Sequence, residues 1–324
     1  MQPTAPTAYS VRLRTRFRGL DTRDGLLLRG DAGWGEFSPF WDYDDATSAP
    51  WLRAAREAAR LGWPAPVRAR VPVNVTIPAV RADDVARLVG ASGGCTTAKV
   101  KVAEPGQDVA DEQARLEAVR DALGPRGRIR IDANGAWDVD TASTRLRLLD
   151  RAAGGLEYAE QPCADVAELA RLRRRVDVPI AADESIRRAE DPYEVARLEA
   201  ADVVVLKVAP LGGVRACLEI AERIGLPVVV SSALESSVGI AAGVALAAAL
   251  PELPYACGLA TVNLFTADVT ADPLVPVSGH LPVRPVEPDL LAGLGGDSER
   301  RFPAAGADLA ERWRRRAERT GRHA

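Results

Sequence analysis

A rhythm in the chain limits its possible folds more than any other feature. Between residues 70 and 261, short runs rich in β-branched residues alternate with amphipathic helical stretches. The runs are RVPVNVTIPA (70–79), TAKVKV (97–102), RIRIDAN (128–134), GLEYAEQP (155–162), VPIAADES (178–185), ADVVVLKVAP (201–210), LPVVVSSALES (226–236) and YACGLAT (255–261). Helical stretches such as DEQARLEAVRDALG and VRACLEIAERIG fall between them. A helix between successive strands returns the chain to the same end of the sheet, so the strands pair in parallel. Eight units at a pitch of roughly 25 residues fit a closed (β/α)8-type barrel better than an open doubly wound sheet. No GxGxxG or GxxxxGK[ST] motif follows any run, which counts against dinucleotide and P-loop sites.

The flanks read differently. YSVRLRTRF (9–17) alternates, DTRDG (21–25) reads as a turn, LLLRG resumes a strand, and WLRAAREAARLGW (51–63) has helical spacing. These predict a small α+β domain over 1–66, with the barrel over 67–281. The rhythm stops near Pro282, and the segment 282–324 ends in RRFPAAGADLAERWRRRAERTGRHA. That tail reads as a basic amphipathic helix packing on the N-terminal domain through Leu309 and Trp313.

Composition removes several function classes. A net charge of −3 argues against nucleic acid as a partner. The longest apolar run, VGIAAGVALAAAL, is too short to span a bilayer. The opening MQPTAPTAYS lacks the basic-then-apolar pattern of a signal peptide, and the four cysteines form no CxxC pair. A soluble, reducing, cytoplasmic setting is expected. Only His280 and His323 are histidines, both near the end of the chain. Proton transfer is therefore expected from carboxylates and lysine.

Strands of a parallel barrel are buried on both faces, so charge inside them is unexpected except at their C-terminal ends, where barrel enzymes keep their chemistry. Consecutive runs here end in such exceptions: Lys99 and Lys101, Asp132, Glu160, Asp183, then Lys207, with the hydroxyl-rich SSALES on the seventh. Singly, each carboxylate reads as a turn former or helix cap. Recurrence at one level of the barrel points to a shared site. Asp132, Glu160 and Asp183 would repel one another unless they held a hard divalent cation, and with no nearby His or Cys the expected ion is Mg²⁺, with Mn²⁺ as a substitute. Only three of the 42 basic residues are lysine. Arginine stays protonated in proteins, whereas a lysine can give up its proton. Lys99 and Lys101 share parity, so both face one side, and neighbouring positive charge is expected to lower their pKa. Lys207 would face Lys101 across the barrel mouth. Such a set suits removal of a proton from carbon next to a carboxylate, so a small-molecule carboxylate is the expected substrate.

These residues resemble the enolase superfamily, in the branch that includes muconate-lactonising enzymes. The resembling motifs are KVK, IDANGAW, YAEQP, AADES and LKVAPLGG. A lysine base acting beside Mg²⁺ is a general pattern of that superfamily. The resemblance implies a modified (β/α)7β barrel, with the N-terminal domain and C-terminal tail forming a cap over its mouth. RTRFRGLDTRDGLLLRGDAGWGEFSPF and SSALESSVG are most similar to the actinobacterial o-succinylbenzoate synthases of menaquinone biosynthesis. That family removes water from 2-succinyl-6-hydroxy-2,4-cyclohexadiene-1-carboxylate (SHCHC). The resemblance implies that Lys101 is the base, that Lys207 steadies the developing charge, and that Lys99 tunes Lys101 and touches the carboxylate.

Substrate contacts are expected from Arg130, Ser232 and Gly258. Arg130 shares parity with Asp132 and points either to substrate or to an internal ion-pair partner. Asn134 and Glu184, just past the proposed ligands, are expected to support them. The same branch contains N-succinylamino acid racemases and dipeptide epimerases that use the same lysines and ligands. YACGLAT carries no acidic pair for a substrate ammonium, which counts against an epimerase. A metal-free Schiff-base lyase and a non-catalytic barrel are the readings from other classes, and oligomeric state is left open.

Overall fold

The alternating N-terminal stretch pairs with the strand that follows it. The computed structural model describes residues 5–189, 191–290 and 302–324. β1 (Thr7–Phe17), β2 (Leu20–Gly30) and β3 (Gly33–Phe37) form an antiparallel sheet, followed by α1 (Asp45–Arg60). The β1–β2 turn is Arg18–Gly19, both with positive φ, and not 21–25 as expected. DTRDG lies inside β2, and Gly25 pairs with Tyr9 there. A Cβ at Gly25 would sit 2.6 Å from Ser38 Cβ and 2.8 Å from the Tyr9 ring, so this glycine permits close approach rather than a turn. Helix α1 starts six residues before the expected stretch. Asp44 caps it by accepting from Thr47 N, and the helix runs through Pro50.

The chain then runs through β4 (Arg70–Pro72), β5 (Val75–Ile77), α2 (Ala82–Gly90), β6 (Thr97–Lys101), α3 (Val109–Leu123), β7 (Arg128–Asp132), α4 (Val139–Ala153), β8 (Tyr158–Glu160) and α5 (Val166–Arg173). It continues through β9 (Ile180–Ala182), α6 (Glu184–Arg187), α7 (Glu194–Arg197), β10 (Val203–Lys207), α8 (Val208–Leu211), α9 (Val214–Ile224), β11 (Val228–Ser231), α10 (Ser237–Ala249), β12 (His280–Pro282) and α11 (Ala307–Thr320). Strands β5 to β11 form one parallel sheet in chain order. The first expected run is split: β4 leaves the barrel and pairs antiparallel with β12. The eighth run, YACGLAT, forms no strand. Cys257 bridges Val73 and Gly258 bridges Ser231, and these two contacts close the ring between β11 and the start of β5. The result is the expected modified barrel with an α+β cap. Its interior is filled by Tyr158, Ala181, Val203, Val205 and Val229, with Tyr255 against them. Helix α10 is apolar all round and accordingly buried. No described helix is long and apolar enough to cross a membrane.

The tail helix α11 lies on the cap. Trp313 is fully buried, meets Phe37 edge-on at 5.8 Å, and donates from Nε1 to Asp24 Oδ2 at 2.8 Å. Leu309 is only partly buried. Arg300 and Arg301, which open the expected basic tail, lie outside the described residues.

Cap and barrel also meet at Glu235, just beyond β11. Burial first, and the charge of Glu36 second, push its carboxyl up to about 7, while Arg23 pulls the other way. The folded protein therefore keeps this proton where the unfolded chain, with an ordinary glutamate pKa near 4.5, has lost it. Between pH of about 4.5 and 7 the native state binds more protons, so this group costs stability as pH rises through that window. Glu235→Gln is expected to flatten that part of the stability–pH curve and to stabilise the protein at pH 8 by roughly 1–3 kcal/mol. Denaturant melts at several pH values check it; an unchanged slope contradicts the assignment.

Candidate active site

Parallel strands in register, each with a side-chain period of two, bring distant residues to one level. Lys101 pairs with Asp132, and Asp132 pairs with Glu160. Lys99 lies one repeat below Lys101, level with Arg130 and Tyr158. Lys207 ends β10 level with Ser231, and Asp183 follows β9 directly. The three lysines and three carboxylates named from the sequence are thus gathered at the C-terminal end of the sheet.

Each lysine is held by carboxylates. Lys99 Nζ donates to Glu160 Oε1 and Oε2 at 2.9 and 3.0 Å and lies 3.3 Å from Asp132 Oδ2. Lys101 Nζ donates to Asp132 Oδ2 and to Asn134 Oδ1, both at 2.6 Å. Lys207 Nζ donates to Asp183 Oδ2 at 2.5 Å, while Arg187 Nε donates to Asp183 Oδ1 at 2.8 Å. Burial opposes the charge on Lys99, but Glu160 and Asp132 outweigh it and raise its pKa above the ordinary lysine value. The expected lowering of that pKa by a neighbouring cation is therefore corrected: the adjacent carboxylates dominate. Asp132 is held well below the carboxylate range, because Lys101 and Lys99 outweigh its burial. Glu160 goes the other way, pushed up to about 7 by burial and by the charge of Asp132.

Asp132, Glu160 and Asp183 are hard oxygen donors suited to a divalent cation. As placed, they turn to the lysines; among the described residues no three carboxylate, histidine or cysteine side chains converge as a metal cluster. Two observations fit a cation here. Glu160 is a buried carboxylate whose ionisation its carboxylate neighbours oppose. Glu184 Oε2 is buried with no hydrogen-bond partner. A bound cation would meet the first need and would free lysines from their ion pairs.

A cavity of about 470 Å³ opens above this set, lined by Lys99, Lys101, Asp132, Asn134, Glu184 and Lys207. Glu160 and Asp183 do not line it; their lysine partners cover them. A larger cavity of about 630 Å³ elsewhere holds none of these groups, so the chemistry of the lining selects the smaller one. Ser232 and Gly258 line the smaller cavity, with Ser232 Oγ donating to Gly258 O at 2.9 Å. A Cβ at Gly258 would lie 2.5 Å from Ser231 Oγ. Asn134 and Glu184 are joined, Nδ2 to Oε1, at 3.2 Å.

Arg130 does not reach the substrate cavity, and that expectation is corrected. It is fully buried in the barrel interior, outside the cavity lining. Its Nε donates to Glu157 Oε2 at 2.5 Å, Nη1 donates to Ala256 O at 2.6 Å, and its guanidinium stacks on Tyr158 at 4.7 Å. Parity placed it inside the barrel; its depth, one repeat below Asp132, made it an internal ion-pair partner. Phe17 and Arg18 reach the cavity from the cap; sequence reading missed Phe40, which reaches it from the same side, and Arg187, which grips Asp183. In a chain that uses arginine for most of its positive charge, nothing local marked Arg187 out.

The chain matches the family described as Enolase C-terminal domain-like over residues 81–299 and the one described as Enolase N-terminal domain-like over residues 8–59. It is 70% identical over 280 residues to the o-succinylbenzoate synthase of Thermobifida fusca, covering 86% of this chain and 87% of that protein. It is 56% identical to the o-succinylbenzoate synthase of Mycobacterium tuberculosis, covering 89% of this chain and 88% of that protein. Among solved structures it is similar to the L-Ala-D/L-Glu epimerase of Bacillus subtilis, with a TM-score of 0.74 at 23% identity over 87% of this chain and 95% of that one, a likeness of fold alone. The chain belongs to the o-succinylbenzoate synthase family of the enolase superfamily.

Proposed function

We propose that this protein is a hydro-lyase that dehydrates SHCHC to o-succinylbenzoate, in the cytoplasm, as a step of menaquinone biosynthesis. The observation that carries this reading is the 70% identity to an o-succinylbenzoate synthase over nearly the whole chain. Membership of the superfamily implies a divalent metal; Mg²⁺ is the ion proposed, with Mn²⁺ able to replace it. Asp132, Glu160 and Asp183 would hold it, and once bound it would supply positive charge to the substrate carboxylate.

The remaining steps belong to the chain's own side chains. Lys101 Nζ takes the proton from the carbon next to the carboxylate. The electron pair of that C–H bond forms the new ring double bond as the hydroxyl leaves, and Lys101 returns its proton to the departing oxygen as water. Atoms and electrons balance without an oxidant. Lys207, as an ammonium, faces the charge that develops on the carboxylate. Lys99 holds Glu160 and Asp132 in place. Ser232, Gly258 and the cap residues Phe17 and Phe40 bound the space around the ring, which excludes water. All four cysteines are free and buried, which suits the reducing setting proposed.

The test mixes the purified protein with fresh SHCHC, first with Mg²⁺ and then with EDTA, and follows the aromatic product by its spectrum. Fast aromatisation that EDTA abolishes is expected. Lys101 and Lys207 line one cavity, which would also suit proton exchange on both faces of an α-carbon. If metal-loaded protein leaves SHCHC unchanged, deuterium exchange into N-succinylamino acids decides for a racemase.

A further inference from the structure

Two cap residues of opposite charge grip one loop of the barrel. Arg23, on β2, is 2% exposed and forms no ion pair among the described residues. It gives its donors to backbone carbonyls instead. Nε donates to Leu234 O at 2.9 Å, Nη2 to Ala233 O at 3.4 Å and to Ser38 O, and Nη1 to Asp24 O at 3.3 Å. Its guanidinium lies 4.6 Å from the centre of the Phe40 ring. Glu36, on β3, accepts from Tyr9 Oη at 2.6 Å and Ser38 Oγ at 2.7 Å within the cap. Across the seam it accepts from Ser236 N and Gly239 N, both at 3.1 Å, and from Ser236 Oγ. Arginine thus takes the carbonyls of residues 233–234, and glutamate takes the amides that open α10.

The gripped loop shapes the substrate cavity. Ser231, Ser232, Ala233 and Leu234 line it, and so does Phe40 beneath Arg23. Leu234 holds φ +63°, a left-handed conformation that a bulky residue adopts only when its surroundings impose it. The barrel side is shaped to receive the grip. A Cβ at Gly239 would sit 3.0 Å from Glu36 Oε2 and 2.5 Å from Glu235 Cβ.

We propose that Arg23 and Glu36 are positioning residues: acting from the cap, they hold the loop 232–236 in the conformation that shapes the substrate pocket, and so set KM rather than the chemical step. Neither touches the lysines or the proposed metal ligands. The inference rests on the activity proposed above for its kinetic readout.

The test uses two variants that loosen the clamp from opposite sides, Arg23→Met in the cap and Gly239→Ala in the barrel, so that a folding failure of one leaves the other. In both, KM for SHCHC is expected to rise about tenfold, with kcat within about threefold and an unchanged Mg²⁺ activation constant. Arg23→Lys keeps the charge but loses the planar fork and is expected to fall between them and the wild type. Hydrogen–deuterium exchange reads the clamp without substrate: exchange should quicken in residues 232–239 and stay unchanged in residues 97–107. Unchanged exchange there overturns the proposal, and so does a loss of kcat at constant KM. A wild-type protein that leaves SHCHC unchanged defeats the proposed activity instead, and the exchange data then decide the clamp.

Discussion

Lys101→Arg is expected to lower SHCHC turnover by about 10²–10⁴-fold, the usual contribution of a positioned general base. Arginine keeps the positive charge beside Asp132, which Lys101 meets at 2.6 Å, so the electrostatic setting of that carboxylate survives. What is lost is a proton acceptor, because a guanidinium does not deprotonate at any pH the protein tolerates. The variant therefore separates the charge of Lys101 from its proposed base function. Metal affinity, measured by calorimetry with Mg²⁺, should stay near the wild-type value. Turnover within about tenfold of wild type would remove Lys101 as the base.

Asp183→Asn attacks the same site at one of its proposed metal ligands. Asp183 is fully buried and accepts from Lys207 at 2.5 Å and from Arg187 at 2.8 Å. Burial alone would raise its carboxyl, but Lys207 and Arg187 outweigh it and hold it down to about 2. The asparagine leaves two buried cations facing a neutral amide, and breaking a buried pair in this way costs about 3–5 kcal/mol. Metal-free protein should therefore melt well below wild type. A folded-state pKa below the unfolded value gives stability that is present above the ordinary carboxylate range and is lost as pH falls toward 2. The variant should thus have a flatter acid limb. Its Mg²⁺ affinity is expected to drop at least about tenfold, and turnover with it. Unchanged Mg²⁺ affinity would take Asp183 out of the proposed ligand set.

The two substitutions differ in how their targets were legible. Lys101 stood out because the chain spends arginine almost everywhere else, and because TAKVKV puts two lysines on one face of a strand that should be apolar. Asp183 was legible by recurrence, as one of a series of charged strand ends. Neither signal reported its partner. Arg187 follows Asp183 by one helical turn, yet its hold on that carboxylate depends on α6 forming directly after β9. Arg130 was left open between substrate and an internal ion-pair partner, and the second holds. Parity gave the right side of the strand, but only the register of β6 to β8 fixed its depth, one repeat below the cavity and against Glu157.

The parallel barrel, the small α+β domain and the six polar residues at the strand ends were all readable from the amino-acid sequence, while the capping role of that domain came from the family resemblance. The barrel and its polar strand ends follow from local rules: a period of two along a strand, a helix between parallel strands, and the rarity of charge in a doubly buried sheet. Folding in three dimensions settled what depends on meetings across long stretches of chain. It placed the β1–β2 turn at Arg18–Gly19, closed the ring through Cys257 and Gly258 without an eighth strand, and joined Arg23 to Leu234 across 211 residues. Such contacts leave little local trace, because a buried arginine bonded to carbonyls reads in sequence like any other arginine. Their energy comes from desolvated partners that exist only once cap and barrel have met.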